Sequence, residues 1–148
     1  MPGEELSAKE LREAYKKGSL KQRHSVARQR MENPEHGPNI VVNSFAAFEG
    51  YARAVAVKVL VESGTTPNAA YDFHRNHDAT ELIEKHICPA FRTSPAKLFG
   101  SAWNDIPDAV SYRNVLVHDA TYLNNATCKR LISSLRHCFD RLAALTLK

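Results

Sequence analysis

Apolar positions recur every three or four residues along most of the chain. From Asn39 to about Glu62 that spacing is kept by Ile40, Val41, Phe45, Phe48, Tyr51, Ala52, Val55, Val59 and Leu60, while Val42, Ala46, Ala54 and Val57 widen the apolar arc. A helix apolar over so much of its circumference belongs at the centre of a bundle. From about Asn125 to Thr146 a narrower stripe, Cys128, Leu131 or Ile132, Leu135, Cys138 or Phe139, Leu142 and Leu145, predicts an amphipathic closing helix suited to packing or dimerisation. Breakers divide the rest. Ser63-Gly64 ends the central helix, and Thr66-Pro67 and Ser94-Pro95 each pair an N-cap residue with proline at a first helical position. A third helix is expected over roughly residues 68–86, ended by Pro89, then a short helical segment from Ala96 to Ala102 and another helix started by Asn104-Asp105-Ile106-Pro107. At the front of the chain Ser7-Ala8-Lys9-Glu10 forms a capping box that opens a first helix reaching about Arg30 or Glu32, with a bend expected at Gly18 and Ser19. No stretch alternates polar and apolar residues, and no Asn-Gly or Asp-Gly hairpin turn occurs. The expected fold is therefore all-α, a four- to five-helix bundle in a single domain over residues 1–148, with the core bundle in 39–147 and a less regular N-terminal helix in 1–32.

Composition narrows the setting. With 43% hydrophobic and 24% charged residues the chain has the means for a core, and no uninterrupted apolar run approaches the ~18 residues of a membrane span. The acidic start Met1-Pro2-Gly3-Glu4-Glu5 lacks the basic and apolar regions of a secretory signal, and Cys88, Cys128 and Cys138 make an odd set without framework spacing. A soluble cytoplasmic protein with reduced thiols and no membrane partner is expected. The net charge of +4 and the pI of about 9.1 permit an anionic partner without demanding one. Lys16, Lys17, Lys21, Arg23, His24, Arg28 and Arg30 follow one another without an acid between Glu13 and Glu32, a run that suits an RNA backbone or, as charge runs more often are, a solvated helix face. Lys129, Arg130, Arg136, His137 and Arg141 offer a second, patchier basic surface.

Chemistry concentrates in Arg113-Asn114-Val115-Leu116-Val117-His118, near the C-terminal end of an apolar helix. Arginine suits phosphate and histidine suits proton transfer. On a regular helix Asn114 and His118 lie roughly 40° apart on one face, whereas Arg113 and His118 diverge by about 140°. Asn114 can orient His118 directly. Arg113 reaches the same phosphate only through its long stem, through unwinding of the helix end, or through a second subunit that completes the site. The competing interpretation pairs Arg113 with Asp108 or Asp119 and leaves His118 as a helix C-terminal cation.

In its Arg113, Asn114 and His118, the sequence resembles the HEPN superfamily, small helical bundles marked by Arg, a polar residue, three or more residues, then His. The layout is similar as well: an apolar second helix carrying an acid (Phe48-Glu49-Gly50-Tyr51), the motif at the end of a later helix, and a closing amphipathic helix. The resemblance implies a metal-independent endoribonuclease, a homodimer with two motifs across a shared cleft, and a toxin or defence role with an antitoxin or regulatory protein as partner. Some members of the superfamily are inactive RNA-binding or interaction modules. In the subgroup controlled by a nucleotidyltransferase, a tyrosine stands two residues after the histidine; here that position is Ala120 and the nearest tyrosine is Tyr122. Carried onto this chain, the resemblance makes Arg113 and His118 catalytic, with RNA as substrate and Asn114 positioning.

Other residues carry both a functional and a structural interpretation. Glu49 is a candidate to orient Arg113 or tune His118, and is equally placed for an ion pair with Arg53 four residues on. Asn43 and Ser44 are weaker candidates for the same wall. His74 and His77, three apart, with His86 and Cys88 beyond, carry donors a metal accepts, but the spacings match no closed zinc site and no metal is expected. Arg30 and His36 form a looser pair interrupted by Pro34. No Gly-x-Ser-x-Gly elbow, activated thiol, phosphate loop or dinucleotide fingerprint is present, so nucleophilic hydrolase and nucleotide-cofactor chemistry have no support and no cofactor is expected.

Overall fold

In the computed structural model, residues 13, 16–32, 39–118 and 125–147 are described. Among them there is no strand. The helices are α1 (Leu20–Glu32), α2 (Asn39–Glu62), α3 (Pro67–His74), α4 (Ala79–Glu81), α5 (Cys88–Ala90), α6 (Pro95–Phe99), α7 (Ile106–His118) and α8 (Asn125–Thr146). A π-helical segment, Leu82–Ile87, joins α4 to α5, and a 3-10 segment, Gly100–Asp105, joins α6 to α7.

The broad apolar arc of α2 explains its place. Val41, Phe45, Phe48, Tyr51, Ala52 and Val55 are buried, and α1, α3, α7, α8 and the π-segment all pack on this helix. Burying a large side chain contributes roughly 1.5–3 kcal/mol, so the three aromatic residues of α2 are a substantial part of the core. Its stretch Ile40–Glu62 is long and apolar enough to cross a membrane by length and composition, and packing against the other helices accounts for that character. The hydroxyl of buried Tyr51 is satisfied at 2.8 Å by Thr146 of α8. Along α8 the expected stripe faces inward: Cys128, Leu131, Leu135, Cys138, Phe139 and Leu142 are buried, and Ile132 and Leu145 pack at the edge.

Most boundaries follow local chemistry. Gly64, with φ of 110°, lets Thr65 N–H reach the Leu60 carbonyl and Gly64 N–H the Val61 carbonyl, both at 3.0 Å, which closes α2 as a Schellman motif. Thr66 and Ser94 cap α3 and α6 ahead of their prolines. The bend expected near Gly18 is a full break: Ser19 and Gln22 exchange side-chain and backbone bonds of 3.1 and 2.8 Å and start α1 afresh. The capping box at Ser7 falls outside the described residues.

One expected element divides. The helix read over 68–86 stops at His74 and restarts only at Ala79, where Asp78 caps the Glu81 N–H at 2.9 Å. Pro89 does not end the helical path either. It sits within α5 just after the π-turn, where its missing N–H and its ring are accommodated by the wider winding, and the path closes only after Ala90 with Arg92 at φ 53°.

Candidate functional site

The motif helix α7 buries Ile106 and Ala109 against the core and ends at His118. Arg113 continues that inward stripe one turn after Ala109. Its guanidinium lies 4.9 Å from the centre of the Phe45 ring of α2, and its Nε is buried without a hydrogen-bond partner among the described residues. The surface pairing with Asp108 is absent from these contacts, because Asp108 and Asp105 both bind Arg130 of α8. Asp119 lies outside the described residues. Asn114 is exposed and Val117 is 54% exposed, so the side of α7 next to Arg113 faces solvent. The His118 side chain lies outside the described residues. Arg113 and Asn114 thus occupy adjacent faces, one turned to α2 and one outward.

Glu49 stands one helical turn beyond Phe45 on α2, and its carboxylate is engaged on the far side from the motif. It meets Arg53 at 3.4 Å and accepts the Ala79 N–H at 3.1 Å. Arg53 in turn donates to the His74 and His77 carbonyls at 3.2 and 2.9 Å. Phe45, Glu49 and Arg53 form one stripe of α2, each step about 6 Å along the axis. The stripe carries Arg113 at one end and the break between α3 and α4 at the other. Asn43 is half-buried, and Ser44 is buried with its hydroxyl lacking a partner among the described residues.

The basic run does not share one face. Lys16 pairs with Glu13 at 3.7 Å and stands 5.1 Å over the Tyr71 ring, and with Arg23, Lys58 and Tyr71 it lines a cavity of about 360 Å³ between α1, α2 and α3. Lys17 and Lys21 are exposed, Arg28 binds Asp140 of α8 at 2.8 Å, and the Arg30 side chain lies outside the described residues. The second basic surface is largely tied down. Arg136 and Arg141 donate to the Met31 and Leu98 carbonyls at 2.7 and 3.1 Å. The three thiols are buried, and burial raises all of them, Cys88 to about 11 and Cys138 to about 12, so none is an activated nucleophile.

A group that spacing alone did not assemble lies where α3 breaks. One nitrogen from each of His74, His77 and His86 comes within 4.8 Å of the others. Arg53 and Glu49 create this group by pinning the 74–79 stretch to α2, and the π-turn brings His86 across to it. The signal present in the sequence was His77 with Glu81 four residues on, an ion pair of 3.3 Å. Burial and the neighbouring His86, His77 and Arg53 hold the His74 imidazole down at about 4, and burial first, then His77, lowers His86. Comparison with family models, curated proteins and solved structures gave no match for this chain.

Proposed function

We propose that the chain is an HEPN-like endoribonuclease that cuts RNA through its own 2′-hydroxyl and works as a homodimer. The observation that carries this reading is the state of Arg113: a guanidinium seated on an aromatic face, with no carboxylate partner among the described residues and its customary neighbour Asp108 taken by Arg130. Such a cation is preorganised for phosphate and needs no ion pair broken first. The exposed Asn114 and Val117 beside it give a polar and an apolar contact that a second copy of α7 can meet.

In this mechanism His118 takes the proton from the 2′-hydroxyl or delivers one to the departing 5′-oxygen. The 2′-oxygen attacks the adjacent phosphorus and the P–O5′ bond breaks, leaving a cyclic phosphate and a 5′-hydroxyl. Arg113 neutralises the charge that grows on the phosphoryl oxygens, and Asn114 holds the imidazole. DNA, without the internal nucleophile, is not a substrate. The exposed Lys17 and Lys21 supply backbone contacts at the N-terminal side. A toxin or defence role with a regulatory protein partner, in the cytoplasm, goes with this activity.

The test is cleavage of single-stranded RNA in EDTA by the wild type and by His118→Ala. Wild-type cleavage that drops at least a hundredfold in the variant is the expected result. Equal activity in both sinks the catalytic assignment and, if RNA binding persists, leaves a non-catalytic RNA-binding module.

A further inference from the structure

We propose that His74, His77 and His86 form a binding site for a divalent transition-metal ion, zinc above all, held by three imidazoles with a fourth position open. The site is independent of the RNA-cleavage reading, whose chemistry uses no metal.

The ring placement is close to that of a three-histidine metal centre, with one nitrogen of each ring within 4.8 Å of the others and side-chain rotation left to draw them together. Zinc with three imidazole nitrogens at about 2.0–2.1 Å in tetrahedral directions spaces those nitrogens about 3.4 Å apart and the ring centres about 5.2 Å apart. Here the His74 and His77 Nδ1 atoms are 3.2 Å apart, and the ring centres of His74–His86, His77–His86 and His74–His77 are separated by 4.7, 5.1 and 5.3 Å. Three rings in a nearly equilateral triangle is an arrangement that hydrogen bonding does not require, since two of the three would satisfy one another.

The surroundings supply what a metal site needs beyond its ligands. The Glu81 carboxylate lies 3.3 Å from His77 Nε2, next to the ring whose Nδ1 faces that of His74. Carboxylates in this outer position orient a ligating imidazole and raise its basicity. Rigidity comes from α2, where Arg53 binds the carbonyls of both His74 and His77 and Glu49 binds the Ala79 N–H. Phe73 packs edge-on against all three imidazoles, with ring centres 4.9–5.6 Å away, and is itself 55% exposed. It is an apolar wall at the surface, beside which an ion enters and a water or an incoming ligand takes the fourth position. Three neutral nitrogens without a thiolate suit zinc, and also copper, nickel or cobalt in its place.

The experiment uses the full chain, stripped with EDTA and returned to chelator-free buffer near neutral pH. Zn²⁺ is titrated calorimetrically, and Co²⁺ is added to a parallel sample as a spectroscopic probe. One equivalent of Zn²⁺ and the intense visible absorption of tetrahedral Co²⁺ are expected from the wild type. His77→Ala and His86→Ala, both at partly exposed positions and checked for wild-type helicity by circular dichroism, should each weaken Zn²⁺ binding at least a hundredfold and abolish the Co²⁺ absorption. Glu81→Gln should weaken binding about tenfold with the Co²⁺ absorption retained. A wild type that takes up less than one equivalent, or histidine variants that bind as it does, overturns the proposal. RNA cleavage is not a readout here, so this site and the ribonuclease reading fail separately.

Discussion

The motif end of α7 and the histidine triangle after α3 both lean on the same face of α2, yet they are built in opposite ways. At α7 the residues are neighbours in sequence, and the helix then separates them: Arg113 turns in to Phe45 while Asn114 turns out. At the triangle the residues are spread over thirteen positions and the tertiary structure collects them, through Arg53, Glu49 and a π-turn. A contiguous motif guarantees proximity but not a common direction. A dispersed set, once pinned by a neighbouring helix, gains both. In the proposed ribonuclease the first arrangement is completed by a second subunit, whereas the proposed metal site draws its three ligands from one chain.

The largest effect that can break this comparison lies at the motif. Arg113→Met keeps an unbranched stem over Phe45 and removes the charge, so RNA cleavage should fall at least a hundredfold, as expected for loss of a well-aimed electrostatic donor, while urea denaturation shifts by less than about 1 kcal/mol. Cleavage near the wild-type level would mean that Arg113 is only a packing residue. At the other end of the stripe the expectation reverses, with stability as the quantity lost. Arg53→Ala removes charge-assisted bonds to two carbonyls and to Glu49 and should cost about 3 kcal/mol in urea melts, with hydrogen exchange rising first in residues 74–79. Arg53→Lys should recover less than half of that, because an ammonium cannot reproduce the planar fork.

A smaller loss sharpens the role of the break itself. Asp78→Ala deletes the cap on the Glu81 N–H and should reduce stability by about 1 kcal/mol, measured by thermal melts, with Asp78→Asn close to the wild type. The smallest effect concerns His24, a half-buried histidine that belongs to neither site. It stacks on Phe139 at 4.8 Å with its Nε2 unpartnered among the described residues, and burial, then Arg28, lowers its pKa against the opposing pull of Asp140. Below pH 6.5 the unfolded chain takes up a proton that folded His24 resists, so stability is lost as pH falls from 6.5 toward the depressed folded value and is unaffected above it. His24→Phe should flatten that part of the pH–stability curve. An unchanged slope would assign the acid sensitivity to other groups.

How much of this was legible in the sequence follows from the range over which each feature is decided. The spans of α2 and α8, the proline starts of α3 and α6 and the glycine end of α2 rest on periodicity and caps within a few residues, and they read correctly. The break after His74 did not, although residues 74–78 are all polar and Asp78 offers a local cap, because the bonds that hold it open come from Arg53 and Glu49, more than twenty residues earlier in the chain. The same two residues explain why Glu49 could be placed beside a site but not assigned to one: its helix position was evident, and its partner depended on where α4 begins. The basic run at 16–30 was visible as charge, but not its division between the Tyr71 cavity and α8, which depends on how α1 lies on α2.

The π-segment carries a last consequence, and it concerns chain length more than side-chain identity. A π-turn is a helix with one residue more than its winding needs, so Leu82–Ile87 holds His86 at its present angle by count. Glu84 and Lys85 are exposed and open to exchange for other helix formers. Deleting either one would restore ordinary winding and press the Pro89 ring against the carbonyl four residues back, which the wide turn now avoids. In this stretch the chain should accept many substitutions and no change of register.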